Sequence, residues 1–225
     1  MIELWIPITI LAAFSQNLRS ALQKHLKSRL STAGATYVRF FYAIPFALLY
    51  LVILNQVFEL PLPQPNANFI GFGIIGGATQ IIATALLVYL FSFRNFAVGT
   101  AYSKTETAQT AVFGLIILGD PLTPGAIIGI MISLVGVMAI STARQEGGLK
   151  NILQSLSQKT ALIGLASGAM FGISAISYRA ASLSLGGDGV LIQAAYTLGC
   201  VTIFQTLIMT LYLQVKEKGE VNNVL

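Results

Sequence analysis

Val98-Gly99-Thr100-Ala101-Tyr102-Ser103-Lys104-Thr105-Glu106-Thr107-Ala108-Gln109-Thr110-Ala111-Val112-Phe113-Gly114-Leu115-Ile116-Ile117-Leu118 is a stretch of membrane-spanning length that carries a lysine and a glutamate near its middle. Such residues cost about 2.5–3.5 kcal/mol each at a bilayer centre, so they usually face a cavity or a partner rather than lipid. The stretch is one of seven apolar runs, predicted at Leu4–Leu22, Thr36–Leu54, Phe69–Phe93, Val98–Leu118, Pro124–Thr142, Thr160–Ala180 and Val190–Leu213. Hydrocarbon about 30 Å thick is crossed by about 20 helical residues, which these runs match.

Composition agrees. Hydrophobic residues make up 55% of the 225 and charged residues only 9%, against about 25% charged in a soluble domain; mean hydropathy is +0.77. The apolar runs are continuous rather than alternating, which argues for helices and against a β-barrel. The expected fold is therefore an all-α membrane protein, a polytopic bundle of seven transmembrane helices. The single Cys200 excludes an internal disulfide and a cysteine-based metal site. No cofactor is expected. The net charge of +5 sits in scattered loop residues, the pattern of membrane flanks rather than of nucleic-acid binding. The expected location is the inner or plasma membrane, with the lipid bilayer and a small-molecule solute as partners; self-association is left open.

Charge also orients the chain. Lys24, Lys27, Arg29, Arg94, Arg144, Lys150, Lys159, Lys216 and Lys218 fall in alternate connections and the tail, whereas Arg179 stands alone on the other side. The positive-inside rule makes the first loop and the C-terminus cytoplasmic and leaves the N-terminus outside. The polar stretch 144–159 reads as a cytoplasmic linker with a short surface helix around Leu149–Leu156.

A weak repeat joins the two ends. At an offset of 157, Leu11-Ala12-Ala13-Phe14 lies over Gly168-Ala169-Met170-Phe171, and Thr36–Arg39 lies over Gln193–Tyr196. Five helices per copy reverse the polarity of the second, an inverted repeat of the kind secondary transporters use. Residues 1–143 form the first copy and 160–225 the first two helices of an incomplete second, whose third helix would begin near residue 226.

Glu106 heads the functional candidates. On one helix Tyr102, Gln109, Thr110 and Phe113 share its face and form a semi-polar stripe, able to bind a polar solute or let Glu106 load and release a proton. A structural ion pair is the plain alternative. Lys104, about 200° round the helix from Glu106, can line another wall, reach an anionic substrate, or snorkel to the interface. Arg39 reads equally as a substrate contact or an aromatic-flanked interfacial anchor. Asn17 with Gln16 and Arg19, and Gln80 with Thr79, line a pathway or make interhelical hydrogen bonds. Gly73…Gly77, Gly125…Gly129…Ser133 and Gly164…Gly168…Gly172 place smooth faces on the third, fifth and sixth helices, a packing signal. No metal pair, nucleophile elbow or phosphate loop is present, so the chain is not read as an enzyme.

Val98 to Tyr102, the run Val112 to Thr123 ending Gly119-Asp120-Pro121-Leu122-Thr123, then Gly129 and Leu134-Val135-Gly136-Val137, together resemble the fourth and fifth helices of the EamA-type branch of the drug/metabolite transporter superfamily. Arg39 matches the arginine common at the start of that family's second helix. The resemblance implies ten helices in two inverted repeats, cargo such as amino acids, nucleotide-related metabolites or drugs, an N-terminus inside, and a structural role for Asp120. Against that pattern Lys104 and Glu106 are departures, and the last three helices are missing, as in a protein cut short after the seventh. The leading expectation is a secondary transporter of a small polar metabolite or drug working by alternating access, with Glu106 as the ion or substrate carboxylate and proton coupling left open. A non-transporting membrane fragment that needs a partner, and a seven-helix receptor, are the other two readings.

Overall fold

A computed structural model describes residues 5–93, 96–143, 158–187 and 189–224. The surface helix expected around Leu149–Leu156 lies outside these. Among the described residues the protein is a bundle of helices without strands. α1 covers Trp5–Leu26, α2 Thr32–Phe41, α3 Ile44–Gln56, α4 Ala67–Leu90, α5 Phe96–Ser103, α6 Glu106–Phe113, α7 Pro124–Ala143, α8 Lys159–Ser184, α9 Val190–Lys216 and α10 Glu220–Val224; a π turn at Gly114–Leu118 extends α6. The segments Thr32–Gln56, Ala67–Leu90, Lys159–Ser184 and Val190–Lys216 are long and apolar enough to cross a membrane, and Pro124–Val137 is a shorter apolar helix. Large side chains such as Ile132 and Val135 on α7 and Leu207 and Leu211 on α9 are exposed, as lipid-facing positions are. The chain is an integral, multi-pass, all-α membrane protein.

Local chemistry sets the helix limits. The Ser31 hydroxyl accepts from the Gly34 N–H at 2.9 Å, and the Asn66 side chain accepts from Phe69 N–H at 2.8 Å, capping α2 and α4. Pro45 lacks an N–H and would press on the carbonyl four residues back. The run expected as one helix from Thr36 is accordingly two, α2 and α3, offset at Tyr42–Ala43.

The larger departure lies in the decisive stretch. Val98–Leu118 is not one helix: α5 stops at Ser103 and α6 starts at Glu106. Lys104 and Thr105 close short turns, their N–H groups donating to Ala101 at 3.0 Å and Tyr102 at 3.1 Å. Ser103 Oγ donates to the Thr100 carbonyl at 2.8 Å, and Thr105 Oγ1 to the Tyr102 carbonyl at 2.7 Å. The Ser103 hydroxyl thus covers the Thr100 carbonyl at the break, and the Thr105 hydroxyl adds a second donor to the Tyr102 carbonyl, where an apolar medium offers none.

α8 is the hub. α4 packs along one side of it, and α5 and α6 along another. The glycine stripe makes the second contact possible. A Cβ on Gly164 would strike the Gly99 carbonyl, one on Gly168 would sit 3.0 Å from the Ser103 carbonyl and 3.3 Å from Glu106 N, and one on Gly172 would meet Phe113 and Thr110 at 3.1 Å. The broken helix is therefore laid directly into the groove of α8. α4, α2 and α9 enclose Ala35, Tyr37, Phe40, Val88, Met209 and Leu213 on the far side.

Contacts sort the connections into two ends. At one, Asp120 pairs with Arg179 and Asn66 Nδ2 donates to the Ser184 carbonyl. At the other, Ser31 bonds Glu217 and Glu220, and Lys159 Nζ sits 5.8 Å over the Phe93 ring.

Candidate functional site

Gly76 and Gly77, a turn before Gln80 on α4, let two helices close in together. A Cβ on Gly76 would meet the Tyr178 ring of α8 at 2.6 Å, and one on Gly77 the Phe204 ring of α9 at 2.8 Å. That approach assembles a three-way polar knot between α4, α8 and α9. Tyr178 Oη donates to Gln80 Oε1 at 2.9 Å, Gln205 Nε2 donates to the same oxygen at 2.8 Å, and Gln205 Nε2 also reaches the Gly77 carbonyl at 3.2 Å. Gln205 is almost fully buried, so its partners are needed rather than incidental.

The knot borders a cavity of about 670 Å³ between α1, α2, α4, α8 and α9, which runs from Arg19 and Arg39 to Val190 and Gln193 beside the α8–α9 turn. Arg39 projects from the last turn of α2 into this space. Its Nη1 donates to Thr84 Oγ1 on α4 at 2.7 Å, and its Cζ lies 5.6 Å from the centroids of both Phe40 and Phe171. Two aromatic faces and a hydroxyl hold the guanidinium.

Glu106 stands beside the cavity without lining it. It opens α6, where the helix N-terminus favours a carboxylate, and it lies close enough to interact electrostatically with Lys104, Arg39 and Arg19. The Lys104 charge acts on the carboxylate through space.

The EamA-like transporter family matches residues 3–142. The chain belongs to that family. No curated protein and no solved structure matches it. An EamA-like transporter is a membrane transporter of the drug/metabolite type, and the family is not one of enzymes.

Of the residues predicted for the pathway of this EamA-like protein, Arg39 and Gln80 meet in the cavity, with Glu106 and Lys104 at its flank. The other three do not join them. Tyr102 is buried among Ala101, Val137 and Ala161, where α5 packs on α7 and α8, and does not line the cavity. Gln109 donates to Thr105 Oγ1 at 2.9 Å and bolsters the break. Asn17 is exposed on α1, and the cavity wall there is Arg19 instead. Sequence reasoning missed Tyr178, Gln193 and Gln205. Gln193, Thr197 and Gln205 recur at multiples of four on one apolar helix, a polar stripe that was open to reading. Arg179, assigned to a connection, lies on α8 and lines the cavity.

Proposed function

We propose that the protein is a secondary active transporter that moves a small polar metabolite or drug by alternating access, coupled to protons through Glu106. The central cavity at the level of Arg39, Gln80 and Gln205, flanked by a carboxylate at a broken helix, carries this reading. Discontinuous helices at mid-membrane sites are how secondary transporters expose backbone and charge to cargo and ions. Arg39 and Gln80 contact cargo, and Glu106 and Lys104 form the ion-responsive flank.

The topology follows from the same reading. Seven spans cross the bilayer, the C-terminus is cytoplasmic, residues 1–143 form one five-helix repeat, 144–159 a linker and 160–225 part of its inverted partner. The alternation of contacts between two ends supports that order, and the family match over 3–142 supports the unit boundary.

A metabolite-uptake screen in proteoliposomes, run with and without a pH gradient, tests it. Glu106→Gln should insert normally and lose the response to the gradient. Uptake that keeps its full pH response in Glu106→Gln removes the carboxylate from the mechanism.

A further inference from the structure

Among the described residues the charged groups lining the cavity are Arg19, Arg39 and Arg179, with no acid between them. They differ in how far they are answered. Arg179 is paired with Asp120. Arg39 has a neutral hydroxyl and two rings. Arg19 has a buried Nε without a hydrogen-bond partner. The two guanidiniums interact unfavourably with each other, and one carboxylate, Glu106, acts on both from outside the cavity. The space in front of them is therefore short of negative charge. Its other wall is different in character, with Leu183, Val190, Leu198 and Val201.

We infer that the cargo is a small organic anion. Its carboxylate-like head is held between Arg19 and Arg39, and its apolar body lies along Leu183, Val190, Leu198 and Val201. Guanidinium is the side chain best shaped for a planar oxyanion, since its N–H groups can reach both oxygens. In a medium of low dielectric, an anion set between two like charges relieves their repulsion as well as gaining its own attraction. A cation would meet two guanidiniums with no carboxylate among the described cavity-lining residues, and a neutral solute could offer Arg19 Nε an acceptor but no charge to set against the pair. This assignment rests on the cavity being the transport site.

Ala194 lines the cavity, is exposed and is close to cysteine in size. Ala194→Cys in a Cys200→Ser background, reconstituted in phosphatidylcholine vesicles that offer no anionic lipid, gives a local charge probe. Its rates of modification by 2-sulfonatoethyl and 2-trimethylammonioethyl methanethiosulfonate are measured by mass spectrometry and referred to a free thiol in solution. The anionic reagent should be favoured about tenfold or more. Arg19→Gln with Arg39→Gln should bring the ratio back to that of the free thiol, while Arg39→Lys, which keeps the charge, should preserve it. Benzoate should slow modification by a neutral methanethiosulfonate, and benzamide should not. A ratio no higher than the free thiol's, or equal effects of benzoate and benzamide, overturns the anion assignment and leaves the transporter reading standing. If neither charged reagent reaches the introduced thiol, the cavity is closed to water and both fall together.

Discussion

Two helices carry the same signature and use it in opposite ways. α8 has glycine at 164, 168 and 172; α7 has glycine at 125 and 129 with serine at 133. A Cβ at any of the three α8 positions would meet a neighbouring helix at 3.1 Å or less, whereas at Gly125 and Gly129 nothing lies within 4 Å. Spacing identifies a smooth face, and only the neighbour decides whether the smoothness is used. On α8 the neighbour is a helix broken between Ser103 and Glu106, so this groove supports both the fold and the placement of Glu106.

Gly164→Leu breaks the comparison most severely. The obstacle is the backbone of Gly99, which cannot swing aside as a side chain can. A loss of about 3 kcal/mol or more is expected, seen as disappearance of the monodisperse peak in size-exclusion chromatography. Gly129→Leu, with the same change in volume, should stay within about 0.5 kcal/mol in a thermal melt. Equal damage from both variants would mean that α7's stripe is also covered, contrary to the structure.

Gly168→Ala sharpens the contrast between fold and site. The added methyl sits at the break itself, 3.0 Å from the Ser103 carbonyl and 3.3 Å from Glu106 N. Both are backbone atoms of the turn, which must shift by a few tenths of an ångström. A stability cost of about 1 kcal/mol is expected, with a larger loss of gradient-driven uptake, because the shift moves the start of α6 and its carboxylate. Uptake that falls only in proportion to folded protein would show that the position of the break does not matter for transport.

The membrane class, the apolar runs and the small-residue faces were legible because hydropathy and periodicity are local properties. The break at 104–105 was less so. Apolar flanks hide it, and its signal is the pair of hydroxyls, Ser103 and Thr105, that bond back to carbonyls three residues earlier. The cavity depends on which helices meet, and no single stretch states that. Gln80 could be suspected from its own helix, but its partners come from α8 and α9, 98 and 125 positions further on. The surroundings of Tyr102 and Arg39 were equally out of reach, since Ala161, Thr84 and Phe171 come from other helices.

The smallest effect belongs to the end of the bundle away from Asp120. There the Ser31 N–H and hydroxyl are held by Glu220 and Glu217, and Tyr42 Oη donates to the Val224 carbonyl at 3.0 Å, fastening the C-terminal segment over the start of α2. Burial pushes the Glu220 carboxyl up, but the hydrogen bonds from Ser31 and Asn223 and the charge of Lys27 outweigh it and hold the group below the usual carboxylate range. A carboxyl with a depressed folded value contributes stability that is complete above its unfolded value, about 4.3, and lost as pH falls through the folded value. Because Glu220 is only part-buried and screened by solvent, the contribution is about 0.5 kcal/mol or less. Wild type and Glu220→Gln should therefore differ slightly in melting temperature at pH 7 and converge below pH about 4. A gap that persists in acid would assign the fastening to the shape and hydrogen bonding of the Glu220 side chain instead of to its charge.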